Sequence, residues 1–248
     1  MNVLVTGAKG FIGSNLLKRL IAMKDVNLIE YNRHNTLQEL ESVIETIDFI
    51  YHFAGEVRPQ SSDEVFVQSN AGLTKDIITI IEKYDRKIPF LMTSSIHAEL
   101  QKNAYGISKR EAEIYLETYG KQNHIPVWIY RLPHIFGEGC KPNYNSVIST
   151  WIYNSIHGKE IVVFDRNIPM TYSYVQDIVD EFVACLETKQ NNTASCYVKP
   201  KISYNTTLGE VVDFIEEFTM LEKNSTPSYT DFKAKLFTTY SNYLNTKK

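Results

Sequence analysis

The opening stretch, MNVLVTGAKGFIGSN, limits what this chain can fold into more than any other feature. Val3, Leu4 and Val5 form a short apolar run, as expected of a strand buried on both faces. Gly7, Gly10 and Gly13 follow at three-residue intervals, and Phe11, Ile12, Leu16, Leu17 and Leu20 then recur at helical spacing. Strand, glycine turn and helix in succession form the context in which such glycines accept a dinucleotide. One glycine permits the tight turn, one lets backbone N–H groups approach a pyrophosphate, and one allows close helix–strand packing. The helix then turns its positive dipole end toward the phosphates.

The segments that follow keep to this plan. Val26–Tyr31 reads as the second strand and ends in Glu30-Tyr31-Asn32-Arg33-His34. An acidic residue at this point serves ribose hydroxyls, whereas an arginine meets a 2′-phosphate. Arg33, with help from Lys9, favours NADPH over NADH; Glu30 is the competing signal, and a solvated surface charge is the alternative reading of Arg33. Thr36–Thr46 is expected to be a helix with Leu37, Leu40, Val43, Ile44 and Ile47 on one face, opened by a Thr36/Glu39 capping box. Asp48–Phe53 is a strand, with His52 read as a core residue, and Phe53, Ala54 and Gly55 at its end leave room for a cofactor against the backbone. Glu64–Tyr84 reads as one long helix carrying Asn70. Ile88–Ser94 is a strand running into Thr93-Ser94-Ser95, hydroxyls at the sheet edge where open α/β folds place ligands.

Tyr105 and Lys109 open the next helix, one turn apart on one face. An ammonium beside a phenol is expected to lower the phenol's pKa and make it a proton donor near neutral pH. Pro126–Arg131 is a further strand, leading into Leu132-Pro133-His134. Strands alternating with helices signal a doubly wound parallel sheet of Rossmann type. Beyond it the pattern loosens: a polar loop at 140–145, a helix at Ser146–His157, a short strand at Glu160–Phe164, an extended Thr171–Tyr174, and helices at Val175–Glu187, Leu208–Leu221 and Phe232–Tyr243. The domain expectation is residues 1–136 mainly a dinucleotide-binding domain and 137–248 mainly a small interleaved substrate lobe, with part of the chain returning to the sheet domain.

A net charge of −3 gives no pull toward nucleic acid or anionic membranes, and no apolar run reaches the ~20 residues of a membrane span. Cys140, Cys185 and Cys196 lie far apart without metal-type spacing, as in a reduced cytoplasmic protein, and no signal peptide is visible.

The glycine fingerprint, Ser95 and the Tyr105-x-x-x-Lys109 pair together resemble the extended short-chain dehydrogenase/reductase superfamily, in its nucleotide-sugar branch. GAKGFIG, NRH, HFAG followed by RPQ, TSSI, YGISK, RLPHIFG, CKPNYNSVI, DRN and LFTTYSNYL resemble, more narrowly, the reductase half of the CapF family of capsular-polysaccharide enzymes. The resemblance implies hydride transfer from NADPH to C4 of a UDP-linked 2-acetamido-2,6-dideoxy-hexos-4-ulose, leading toward a UDP-2-acetamido-2,6-dideoxy-L-talose. Tyr105 would be the acid, Lys109 its partner, and Ser95 the donor to the carbonyl oxygen, with Ser94 as the fallback. Asn70 and Pro133 match cofactor-side positions. Arg58, His134, Lys141, Asn143, Asn145, Arg166 and Asn167 are the residue types that a UDP diphosphate needs. A homodimer through the helices at Glu64–Tyr84 and Ala104–Tyr119 follows by the same analogy.

Three departures stand out. No strand separates the helix Thr36–Thr46 from Asp48–Phe53, so the adenine pocket is shortened. His134 stands where the superfamily often has Asn. CapF enzymes continue into a metal-binding cupin domain credited with C3 epimerisation, whereas this sequence stops at Asn245-Thr246-Lys247-Lys248 with scattered histidines and no metal site. The chain is therefore expected to reduce without epimerising, and a separate epimerase chain is a candidate partner. A 4-epimerase with tightly bound NAD, and a regulator that senses NADPH, are the competing functions.

Overall fold

The computed structural model describes residues 1–188, 196–221 and 228–246. It divides into two units. The first comprises Met1–Leu132 and Val179–Pro200. In chain order its elements are β1 (Asn2–Thr6), α1 (Phe11–Leu20), β2 (Asn27–Tyr31), α2 (Leu37–Val43), β3 (Phe49–His52) and α3 (Asp63–Phe66), then α4 (Leu73–Lys83), β4 (Phe90–Ser95), α5 (His97–Leu100), α6 (Ala104–Asn123) and β5 (Val127–Leu132).

The strands form a six-stranded parallel sheet in the order β2-β1-β3-β4-β5-β8, where β8 is Tyr197–Val198. Helices flank it, giving the doubly wound, Rossmann-like α/β fold expected from the sequence. Alternation along the strands sorts the core. Leu4, Ile50, Phe90 and Ile129 pack with Leu40 and Ile44, with Ile77 and Ile81 of α4, and with Leu116 of α6. Tyr51 and Tyr130 instead meet Phe182 of α8 (Val175–Thr188), at 6.4 and 4.9 Å between ring centroids. Each fully buried Ile or Leu contributes about 1.5–3 kcal/mol, so this two-sided burial holds the sheet rigid under its C-terminal edge.

The capping box is present: Thr36 accepts from the Glu39 N–H at 3.2 Å and Glu39 from the Thr36 N–H at 2.6 Å. A 3-10 turn, Ile44–Thr46, then leads directly into β3, and β2 is left as the sheet's edge. The expected single helix at 64–84 is a correction. A π-helical turn, Val67–Gly72, lies between α3 and α4. Such turns hold one residue more than the α-helical ladder accommodates.

The second unit comprises Pro133–Ile178 and Lys201–Lys248. It has a small sheet, β6 (His134–Phe136), β7 (Pro169–Tyr174) and β9 (Tyr204–Thr207), with β6 parallel and β9 antiparallel to β7. Helices α7 (Val147–Ile156), α9 (Leu208–Thr219) and α10 (Asp231–Thr246) cover it. Its core is aromatic: Phe136, Trp151, Tyr172, Phe218, Phe232 and Tyr240. The strand expected at 160–164 is not formed, and Phe164 is fully exposed. Apolar, β-branched residues favour strands only where a neighbouring strand accepts them.

Candidate active site

β1 lies between β2 and β3, so the strand order reverses beside it, and the glycine turn leaves the sheet at this switch point. Gly7 has φ +66°, and a Cβ there would sit 2.6 Å from Ala54 N; a Cβ on Gly13 would sit 2.4 Å from the Gly7 carbonyl. Both positions therefore demand glycine. Gly10, the N-cap of α1, provides no side-chain acceptor, so the first-turn N–H groups around Phe11, Ile12 and Gly13 remain available as donors. A phosphate fits such a helix start.

The end of β3 is pinned to this turn: Phe53 N–H donates to the Thr6 carbonyl at 3.1 Å and Ala54 N–H to Thr6 Oγ1 at 3.2 Å. Gly55 is hemmed in, since a Cβ would lie 2.4 Å from Asn70 Oδ1 and 3.3 Å from Lys109 Nζ. Asn70, buried in the π turn, accepts from Glu56 N–H at 3.0 Å and donates to the Glu56 carbonyl at 3.2 Å and to Ser108 Oγ at 3.0 Å. It thus ties the loop after β3 to α6. His52 behaves as a core residue, bridging Thr6 and Thr74 at 2.7 and 3.0 Å, and burial pushes its pKa down to about 3.

Asn103 caps α6 through the Gly106 N–H at 2.8 Å and sets Tyr105 in the first turn. The Tyr105 phenol is buried within the influence of Ser95, and its ring lies against Phe66 and His97. Lys109 is buried and donates to the Thr93 carbonyl at 3.2 Å; burial lowers its pKa to about 8, opposed by Glu113. Here one expectation is corrected. The Tyr105 pKa is raised, not lowered, because desolvation outweighs the lowering influence of Ser95, and the ammonium that was to lower it points at Thr93. Ser95 faces the tyrosine, whereas Ser94 Oγ donates to Glu113 at 2.6 Å.

At the end of β2, Lys9 N–H donates to Asn32 Oδ1 at 3.0 Å, and Arg33 reaches Glu56 at 3.4 Å. Arg58 forks onto the same carboxylate at 3.0 and 2.7 Å. Leu132 closes β5, its carbonyl accepting from Ile96 N–H at 3.2 Å. Gly7, Gly10, Phe11, Ile12, Gly13, Arg33, Phe53, Ala54, Gly55, Arg58, Asn70, Ser95, Tyr105, Lys109 and Leu132 all belong to the first unit. Sequence reasoning missed Glu56 and Glu113. An acidic residue two positions before Arg58 was the one available hint for the first; for the second, eight residues after Tyr105, spacing alone gave none.

Pro133, His134, Lys141, Asn143, Asn145, Arg166 and Asn167 belong to the second unit. His134 is an exposed β6 residue with its ring 5.8 Å from that of Tyr172. Lys141, Asn143 and Asn145 lie exposed on the loop before α7, with Asn143 N–H bonded to Thr150 at 2.9 Å. Arg166 pairs with Asp213 and donates to the Gly209 carbonyl at 3.2 Å; Asn167 N–H donates to Asp165 at 2.8 Å. Among the described residues no three metal-ligating side chains cluster, and no helix is long and apolar enough to cross a membrane.

The model of the NAD dependent epimerase/dehydratase family matches residues 3–198. The chain belongs to this family. A UDP-2-acetamido-2,6-beta-L-arabino-hexul-4-ose reductase of Pseudomonas aeruginosa is 35% identical over 246 residues, covering 98% of this chain and 65% of the relative. The chain therefore spans just under two thirds of that enzyme's length. The crystal structure of capsular polysaccharide assembling protein CapF from Staphylococcus aureus superposes with a TM-score of 0.84 at 37% identity, over all of this chain and 67% of CapF. A UDP-glucuronic acid 4-epimerase from Bacillus cereus, solved with UDP-glucuronic acid and NAD, gives a TM-score of 0.84 at 18% identity over the full length of both chains, a likeness of fold. Within the family, the open N–H groups at α1 and the crowded glycines fit a bound dinucleotide.

Proposed function

We propose that the chain is an NADPH-dependent reductase of a UDP-linked 2-acetamido-2,6-dideoxy-hexos-4-ulose, acting at C4 in the assembly of a surface polysaccharide. The observation that carries this reading is that Tyr105 and the buried Lys109 lie one turn apart on α6, within the influence of Ser95 at the end of β4, on the unit that bears the glycine turn. Bound NADPH supplies the hydride. Tyr105 gives its phenolic proton to O4 as the carbonyl becomes an alcohol, and Ser95 donates to the same oxygen as charge develops. Lys109, one turn along α6, stabilises the phenolate that remains. It donates to the Thr93 carbonyl at 3.2 Å, and Asn70 and Gly55 keep its surroundings tight.

The glycine turn with Gly7, Gly10, Phe11, Ile12 and Gly13 holds the pyrophosphate in this reading, and Phe53, Ala54, Gly55, Leu132 and Pro133 complete the cofactor side. Arg33 selects the 2′-phosphate. Arg58, His134, Lys141, Asn143, Asn145, Arg166 and Asn167 supply donors for the UDP moiety. A homodimer through the outer faces of α4 and α6, where Ile107 and Ile114 are exposed, belongs to the same proposal.

The test is NADPH oxidation by the purified chain given the UDP 4-keto-6-deoxy sugar, with NADH in parallel and with a C3-epimerase added in a second arm. Oxidation with NADPH well above NADH in either arm supports the reductase, and the arm tells which configuration it takes. NAD retained through purification, with C4 inversion and no net oxidation, would replace this reading with a 4-epimerase. Tyr105→Phe is expected to lower kcat by about 10²–10⁴-fold while cofactor still binds. A protein that binds NADPH and turns nothing over would be a sensor instead.

A further inference from the structure

One turn beyond Lys109 on α6 lies Glu113, a carboxylate with no exposed surface and no part in the steps above. Four donors converge on it. Ser94 Oγ at 2.6 Å and Arg131 Nε at 2.9 Å reach Oε1; Arg131 Nη2 at 2.7 Å and Arg110 Nη1 at 3.0 Å reach Oε2. Buried ion pairs as such contribute little net stability, because well-packed apolar groups of similar volume do as well. The location is more informative than the pairing. Tyr105, Lys109 and Glu113 follow at intervals of four residues along one face of α6. Ser94, which Glu113 grips, immediately precedes Ser95, which meets Tyr105.

We propose that Glu113 is a positioning residue of the reaction: its carboxylate clamps Ser94 against Arg131, which aims Ser95 at Tyr105, and its negative charge, one helical turn away, balances the buried Lys109 ammonium. The proposal rests on the reading of Tyr105 and Lys109 as proton donor and partner.

Among the described residues, the surroundings of Lys109 leave Glu113 alone in that role. From β3, His52 is neutral, with burial holding its pKa near about 3. From β4, Thr93 offers a carbonyl; from the π turn, Asn70 offers an amide. On α6 itself, Tyr105 keeps its proton more firmly than a solvated phenol. The Glu56 carboxylate, on the loop that Asn70 ties down, pairs with Arg58 and Arg33 and is not among the groups that shift Lys109. Around Glu113, Glu99 lies 4.0 Å from Arg131, Tyr197 touches both Arg110 and Arg131, and Glu117 accepts from the Tyr197 hydroxyl at 2.7 Å. Burial draws Lys109 down to about 8, and Glu113 is the charge that opposes it. Loss of that anion, and the two guanidinium groups then left unbalanced, push Lys109 the same way, toward neutrality.

The pH dependence of kcat tests this in the full chain. Glu113→Gln is expected to bind NADPH normally, as read by nucleotide fluorescence, while the alkaline limb of kcat moves to lower pH by about one unit and kcat at neutral pH falls about tenfold. Glu113→Asp keeps the charge but withdraws it by one methylene, so kcat falls and the limb stays in place. A folded Gln variant with an unmoved limb overturns the proposal, as does an Asp variant with wild-type kcat or a shifted limb. Where the Gln variant does not fold, the Asp variant decides alone. Wild-type turnover by Lys109→Met would instead remove the functional reading underneath, whatever the Glu113 variants show.

Discussion

Two carboxylates in the first unit, Glu56 and Glu113, have nearly the same immediate chemistry and opposite settings. Each is buried, and each is bridged by two arginines. The arginines on Glu113 come from α6 and β5, with side chains 29% and 20% exposed. Those on Glu56 come from the loops after β2 and β3, with Arg58 41% and Arg33 72% exposed. The first cluster is closed, with every lone-pair direction of its carboxylate used by the protein. The second is open on its cationic side, and its guanidinium groups can still meet an anion. Burial of the acid is thus common to both, and the two clusters differ in the access of water to the base.

The largest test of this contrast is truncation. Glu113→Ala strands two poorly hydrated cations and is expected to cost about 3–5 kcal/mol in urea unfolding. Glu56→Ala releases arginines that water can reach, for about 1–2 kcal/mol. Equal losses would erase the distinction. Acid titration follows. The Arg58 hydrogen bond, with the backbone N–H groups of Arg58 and Val57, holds the Glu56 pKa down to about 2 from 4.5. A depressed carboxylate stabilises the fold fully above 4.5, and that stability is lost as pH falls from 4.5 toward 2. Glu56→Gln should therefore flatten stability in that window by about 2 kcal/mol, while its stability near neutral pH no longer carries that term. An unchanged acid profile would mean that the pairing is not maintained in solution. Arg33→Ala then probes the open side: KM for NADPH should rise about tenfold, with kcat and the NADH reaction little changed. A similar rise for NADH would assign Arg33 to some other part of the cofactor. Thr36→Ala, remote from both clusters, sets the scale of an ordinary surface contact at about 1 kcal/mol through its capping box.

The sheet was legible because its strands announce themselves locally. Apolar runs such as Val3–Val5 and FLMTSS end in glycine or hydroxyl residues, and periodic helices separate them. Ser95, Tyr105, Lys109 and the glycines were legible for the same reason, since each sits at a fixed offset from an element boundary. The failures are those of context. IVVF at 161–164 has the composition of a strand but no partner in the sheet. β8 is two residues long and exists through its register with Ile129 and Tyr130. The expected lowering of the Tyr105 pKa assumed that helical neighbours interact, whereas burial and the Thr93 carbonyl decide both groups. Glu56 and Glu113 look like surface acids in sequence, and only tertiary packing shows what surrounds them.

The π turn at Val67–Gly72 carries a consequence for how this site can be lost. Gln68 lies exposed in it while Asn70 is buried. Deleting Gln68 would let the segment close into a regular helix, while drawing Asn70 off the Glu56 and Ser108 groups that it joins. A shorter and more regular chain at this point would be a sturdier helix beside a slacker site, so the local preference of the backbone and the fitness of the site pull against each other over a single inserted residue.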